Sequence, residues 1–427
     1  MTKDRPAPPL IVTRLSVMML LEYATLGLWA VTVGSYINAN TGEAGAGTFG
    51  PGFIGLAGTA GAIGALVSPV VMGVVADRYF STEKLLALLH LVCGGCLWLM
   101  LAARSESVFY LALLLYFQAY VPSATLTSSL ALRNLPDADR QFAVVRAFGT
   151  VGWVAAGVLI GLLCPLLLGR SIETGLTPLW IAVAAHGVMA AYCLTLPPTP
   201  AAGGPKTGWR KLIGGTGMWK NRPFIIFLAV SALAAAPTQF YNSFANPFLN
   251  QIGFQHTAAK MALGQAVEVA CLLALPALML RYSIKSLFIA GVLAWAVRYA
   301  LLAECGSAST WLAYPAILVH GACFAFVYMT GQLYADRVAD HDARSAAQGL
   351  HALVTGGLGH LAGAFASQWA QATYLTPPGV EPIYNWRFFW WLPASASLLA
   401  AILIALLFEE RPGAKGHPDD VGHSDVA

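Results

Sequence analysis

Charge is what this sequence lacks most. Only 10% of its 427 residues are Asp, Glu, Lys or Arg, against 57% that are apolar. Soluble domains carry about 25% charged and 45–50% apolar residues, so an ordinary water-solvated core is excluded. Long polar stretches are missing as well: apolar runs of about twenty residues, the length that crosses roughly 30 Å of hydrocarbon, recur with short polar gaps. Cysteines paired across aqueous loops are absent. Cys93, Cys96, Cys164, Cys193, Cys271, Cys305 and Cys323 lie in or at the ends of apolar segments, which argues against a disulfide framework. The C-x-x-C of Cys93 and Cys96 sits inside an apolar run with no second pair, so packing is its reading and not zinc or redox chemistry. There is no G-x-x-x-x-G-K-[ST] phosphate loop, so nothing suggests an ATPase. The net charge of +4 comes from Lys and Arg scattered over short loops and forms no basic face for nucleic acid. No cofactor and no metal are expected. No small-residue cleavage site follows the first apolar run, which therefore counts as a helix and not a removable signal.

What is present is a succession of apolar spans. Length and turn signals place them near 13–37, 53–76, 83–103, 107–131, 143–168 and 175–196, then, after a loop rich in Pro, Gly and basic residues at 197–222, near 223–250, 255–280, 285–304, 309–337, 345–374 and 385–408. Of the 24 basic residues, only Arg104, Arg170, Lys260 and Arg387 fall in loops of one face, and Arg146 and Arg298 fall inside spans. All the others lie on the face that carries both termini, and the positive-inside rule makes that face cytoplasmic. The expected setting is a lipid bilayer.

The two sets of six spans repeat. The turn after the second span reads DRYFSTEK (Asp77 to Lys84), and its counterpart six spans later reads RYSIK (Arg281 to Lys285). The loop before the fifth reads PDADR (Pro136 to Arg140), and the one before the eleventh DHDAR (Asp340 to Arg344). Matching loops at matching places predict two parallel six-helix repeats. The expected organisation is an N-terminal bundle over 1–196, a cytoplasmic central loop over 197–222, a C-terminal bundle over 223–410 and a cytoplasmic tail over 411–427, in one all-α membrane chain expected to work as a monomer. GVVADRYFSTEK (Gly73 to Lys84) resembles the major facilitator signature G-x-x-x-D-R/K, with Phe80 where that family usually has Gly; Asp77 and Arg78 are then gate residues at the cytoplasmic rim.

A charge at mid-bilayer costs about 3 kcal/mol on insertion scales, so polar residues inside spans are functional candidates. Arg146, Thr150 and Trp153 recur at i, i+4 and i+7 on the fifth span. Gln239 and Asn242 share a face of the seventh, Gln265 and Glu268 one of the eighth, His320 and Phe324 one of the tenth. Converging on one cavity, these stripes suit a flat heterocycle joined to a hydroxylated ring: the aromatics offer stacking faces, and the amides and Glu268 hydrogen-bond base edges and ribose hydroxyls. Nucleosides fit that description. Amides that only bridge helices are the alternative. Arg146 needs a counter-charge if buried, from Glu268 or Glu22, and a structural ion pair between the halves is also open. Glu22 is a lone acid in the first span, with no cationic neighbour in sequence, and is a candidate to take and release a proton; an acid reaching cytoplasmic water is its other reading. Arg298 and His186 read as structural, and His351 and His360 as packing among glycines.

LGLWAVTVGSYI (Leu26 to Ile37), RAFGTVG (Arg146 to Gly152), QFYNSFANPFL (Gln239 to Leu249) and RSAAQGLHALVTGGLGHLAG (Arg344 to Gly363) resemble the bacterial nucleoside:proton symporters of the major facilitator superfamily, over about residues 10–410. The resemblance implies twelve transmembrane helices in two pseudo-symmetric bundles, alternating access and proton-coupled nucleoside uptake. It also implies nucleoside-binding positions at Arg146, Thr150, Trp153 (where the family can have Phe), Gln239, Asn242, Gln265, Glu268, His320 (where it can have Tyr) and Phe324. The family pattern can carry an Asp associated with proton coupling just after that Phe, and this sequence has Ala325, which leaves Glu22 and Glu268 as acids to titrate. The rival within transport is a symporter or facilitator for sugars or small carboxylates. An intramembrane enzyme would need a nucleophile or metal cluster and gives no reason for two repeats, and a receptor would usually add a cytoplasmic domain.

Overall fold

The computed structural model describes residues 8–42, 48–78, 80–200, 221–339, 344–375 and 385–408, without the side chains of 8–9, 67–78, 139 and 344–345. Asp77 and Arg78 close a helix whose backbone is described, but their side chains lie outside the described set, as do most of the central loop and the whole tail.

The described chain is helical apart from turns and a single isolated bridge between Thr41 and Phe49. In the first half, α1 (Pro8–Gly27) and α2 (Val33–Ala39) form one broken rod, followed by α3 (Phe53–Arg78), α4 (Thr82–Ala102) and α5 (Glu106–Asn134). Next, α6 (Ala138–Val158) runs through a π turn into α7 (Cys164–Leu168), and α8 (Thr177–Cys193) completes this half. In the second half, α9 (Arg222–Ala235) breaks into α10 (Thr238–Gln251), and α11 (Thr257–Met261) leads into α12 (Leu263–Met279) before α13 (Ile284–Ala303). Then α14 (Ala313–Leu318), α15 (His320–Phe324), a π turn and α16 (Thr330–Val338) make one rod. Another joins α17 (Arg344–Ala352) through a π turn (Leu353–Gly359) to α18 (His360–Tyr374), and α19 (Trp386–Leu407) ends the series. Among the described residues, 9 of these rods are long and apolar enough to cross a membrane, and Phe53–Leu66 and Thr177–Cys193 are shorter apolar helices.

Helix starts follow local chemistry. Ser105, Asp137, Asn221, Ser283 and Asn385 each accept a hydrogen bond from a backbone N–H in the first turn of the helix that follows, satisfying donors that have no partner within the helix. The outer surface is strongly apolar: Leu280 is 89% exposed, Leu167 83% and Leu273 78%, a surface that only lipid solvates without cost. The interior carries close helix approaches. A Cβ on Gly152 of α6 would run into the backbone of Leu20 on α1, and one on Gly363 of α18 into the backbone of Ala236, at the break after α9. Small residues at such points let helix backbones meet where lipid offers no hydrophobic drive to association.

The two halves join at one end. Every hydrogen bond between residues 8–196 and 221–408 among the described residues lies at the end remote from the termini: Ser35 to Asn246, Asn250 to Ser35, Gly55 to Gln371, Gly161 with His256, and Asn246, Asn250 and Ala258 to Glu173.

Candidate functional site

The site is framed by α6 and the α11–α12 rod. At the joined end they touch: a Cβ on Gly157 would lie 3.1 Å from the Ala258 carbonyl oxygen and 3.2 Å from the Ala262 Cβ, and one on Gly161 would strike the Ala259 nitrogen. The contact partners advance along one helix as they recede along the other, so the rods are antiparallel. Continued at the rise of an α-helix, this register sets Trp153 level with Gln265 one turn further in, and Thr150 level with Glu268 after two turns. Trp153, Thr150 and Arg146 are half-buried, as are Gln265 and Glu268.

On the second half, His320 gathers the polar groups. Arg298, 2% exposed on α13, donates from Nη1 to His320 Nδ1 at 3.1 Å and lies flat on Tyr241, 3.2 Å from the ring centroid. Arginine only donates, so Nδ1 is the acceptor and the neutral ring carries its hydrogen on Nε2. That hydrogen points to Glu268 Oε2 at 3.5 Å and to the Gln265 amide at 3.3 Å. The Gln265 Oε1 is buried without a partner. Turning the amide over places this oxygen toward His320 Nε2–H and leaves the amide N–H groups at the buried position as donors open to a ligand. Phe324 packs 6.2 Å from the His320 ring and 4.9 Å from Tyr328, whose hydroxyl is 2.9 Å from His360 Nε2. The Arg298 Nε and Nη2 are buried and have no partner.

Gln239 and Asn242 owe their places to the break at Ala236–Pro237, where proline lacks the N–H that would continue the helix; the Pro237 carbonyl accepts from the Tyr299 hydroxyl at 2.8 Å. Gln239 is buried, its Oε1 3.8 Å from where a Cβ on Gly58 of α3 would stand, so it faces the other half. Asn242 is exposed.

The counter-charges expected for Arg146 are engaged elsewhere. Glu268 meets His320, and Glu22 meets His90 Nε2 at 2.9 Å. Among the described residues no acid lies within ion-pair distance of Arg146, whose guanidinium instead covers the Tyr23 ring at 4.2 Å. Glu22, which lacks a cationic neighbour in sequence, has one in space, brought from 68 positions away. His186 and Arg298, read from sequence as structural, belong to buried polar networks. His90, Tyr241 and Glu173 carried no sequence signal beyond a polar group within or beside an apolar helix.

A family model described as Nucleoside H+ symporter matches residues 10–412. YegT of Escherichia coli (strain K12) is 31% identical over 407 residues, 93% of each chain. The Xanthosine permease of the same organism is 28% identical over 420 residues, 93% of this chain and 96% of that one. The crystal structure of nucleoside transporter NupG superposes with a TM-score of 0.82 at 26% identity, covering 94% of this chain and 100% of that one. With its major facilitator fold, this chain belongs to the nucleoside H+ symporter family and is a proton-coupled nucleoside transporter, not an enzyme.

Proposed function

We propose that the nucleoside binds in the wedge between α6 and α12. Trp153 and Phe324 flank the base, while Arg146, Thr150, Gln239, Asn242, Gln265, Glu268 and His320 meet its polar edges and the ribose hydroxyls. Arg298 joins this set, because two of its buried N–H groups lack acceptors that a ligand oxygen or nitrogen would supply. The observation that carries the reading is the approach of α6 to α11–α12 at the joined end, which leaves polar residues of both halves level with one another further in. A ligand held there touches both bundles. In this reading twelve helices cross the inner membrane, with both termini in the cytoplasm. Residues 1–196 and 223–410 rock as a monomer's two domains about the site. Asp77 and Arg78 belong to the rim that closes when the joined end opens, and Glu22 and Glu268 are the acids within the membrane that can titrate.

Reconstitution into liposomes tests this. Labelled uridine accumulates when the outside is the more acidic, equilibrates without accumulation when the gradient is abolished, and is displaced by unlabelled nucleosides but not by free sugars or small carboxylates. Displacement by sugars alone would return the wedge to a sugar site.

A further inference from the structure

The first half buries a chain of titratable groups that the nucleoside site does not use. Glu22 (α1), His90 (α4), Ser123 and Tyr116 (α5) and His186 (α8) are all 0% exposed. Glu22 Oε1 accepts from the Ser123 hydroxyl at 2.7 Å, and Oε2 lies 2.9 Å from His90 Nε2. His90 Nδ1 is 2.9 Å from His186 Nδ1; His186 Nε2 is 3.2 Å from the Tyr116 hydroxyl; and that oxygen accepts from Trp29 Nε1 at 3.4 Å.

One end of this chain limits how its hydrogens can be arranged. Indole N–H only donates. Tyr116 therefore accepts from Trp29, and in one arrangement its hydroxyl gives its own hydrogen to His186 Nε2. His186 then carries its hydrogen on Nδ1 and gives it to His90 Nδ1, and His90 carries its hydrogen on Nε2 and gives it to Glu22. With both imidazoles neutral, this arrangement ends on an ionised carboxylate and holds one buried negative charge; the reverse one, in which Tyr116 accepts from both Trp29 and His186, ends on a carboxyl group that donates to His90. The groups around it are Tyr23 on α1, Cys93 on α4, Tyr116 and Tyr120 on α5 and Cys193 on α8, none of which brings a positive charge. On α6, Arg146 covers the ring of Tyr23, the residue next to Glu22.

We propose that the Glu22–His90 pair is the transporter's proton-binding site, taking one proton shared between carboxylate and imidazole, with His186 and Tyr116 as its relay. One proton brings the cluster from a net charge of minus one to zero, either as a carboxyl group beside neutral His90 or as a carboxylate beside imidazolium. If His90 is charged, its Nδ1–H faces His186. That ring must then move its own hydrogen to Nε2, and Tyr116 must turn its hydroxyl away, so the whole chain reverses. Release to the other side restores the first arrangement, and one proton crosses per cycle.

The site is close to the cargo without touching it. Tyr23, next to Glu22, lies under Arg146, and α1 meets α6 so closely at Gly149 and Gly152 that a Cβ at either would strike α1. Neutralising Glu22 withdraws a negative charge from beside Tyr23 and leaves Arg146 freer to attract an electron-rich ligand edge. Proton and nucleoside would then favour each other's binding, as linkage requires of a symporter.

This inference rests on proton-coupled nucleoside transport as read above, and the test separates the two. In wild-type proteoliposomes a one-unit pH gradient should drive about tenfold accumulation of uridine for a coupling of one proton; no accumulation in the wild type would sink that reading and this one with it. Glu22→Gln preserves the shape of the side chain but cannot take or release a proton, and His90→Gln removes the imidazole. Each should lose accumulation, to a ratio of about one, while keeping uridine exchange and uridine binding, and binding should no longer change with pH. Glu22→Asp should keep accumulation in part. Wild-type accumulation in both Glu22→Gln and His90→Gln would overturn the site while leaving symport intact. Should either variant fail to bind uridine, calorimetry of wild-type protein in buffers of different ionisation enthalpy decides: uptake of protons on uridine binding that is unchanged in Glu22→Asp contradicts the proposal, and uptake that shifts in pH supports it.

Discussion

At the residue scale, the site depends on donors and acceptors that fit only one way. Arg298 fixes the tautomer of His320 by occupying Nδ1, and that tautomer directs the Nε2 hydrogen toward Glu268 and Gln265. Lysine keeps the charge but not the flat fork that lies on Tyr241. Arg298→Lys is expected to weaken nucleoside binding by about 1.5 to 3 kcal/mol, the range for hydrogen bonds to a charged group, as measured by calorimetric titration of purified protein. An unchanged affinity would make Arg298 a packing residue only. The stripes on α6, α12 and α15 were legible in sequence because helical spacing collects polar residues on one face. Arg298 and His90 were not, since each stands alone on its helix and its meaning comes from a partner on another. Nothing local in the sequence reports that Glu22 and His90 meet.

At the element scale, the helices were legible from apolar length, 9 of them long enough to cross a membrane among the described residues, and the structure differs mainly at their ends. α6 begins at Ala138 and not near 143, and α5 continues to Asn134, because polar residues just outside the hydrocarbon extend a helix whose cap lies in water. The breaks were harder to read. Pro237 marks one, but the turn at Leu28–Thr32 and the π turns at Leu159–Leu163, Ala325–Met329 and Leu353–Gly359 contain no proline. They arise where packing against neighbours outweighs regular hydrogen bonding. Close approach of α1 to α6 holds both proposed sites, and Gly152 is where the backbones meet. Gly152→Val is expected to destabilise the protein by about 1 to 3 kcal/mol through overpacking, seen as a lower midpoint in thermal unfolding in detergent. A midpoint equal to that of wild type would show that the two helices can separate without cost.

At the scale of the whole molecule, the halves are held at one end by a carboxylate. Glu173 is 2% exposed and accepts from Asn246 at 2.7 Å and from Asn250 and the Ala258 backbone N–H at 3.1 Å each, all three donors lying on the opposite half. Replacing one carboxylate oxygen by an amide nitrogen sets donor against donor. In Glu173→Gln, spin labels on exposed Ala39 and Gln255 should show a larger population at long distance than in the wild type, and identical distance distributions would dismiss Glu173 as a latch. The helical bundle was legible in its apolar runs, but the end at which it is joined was not, because that depends on side chains from separate spans. The central claim is that one nucleoside bridges both halves, so residues on each must matter equally to binding. Calorimetric titration of uridine into folded Arg146→Ala and Glu268→Gln proteins tests it most directly: the account predicts that binding is lost or greatly weakened in both, and wild-type affinity in either would contradict it.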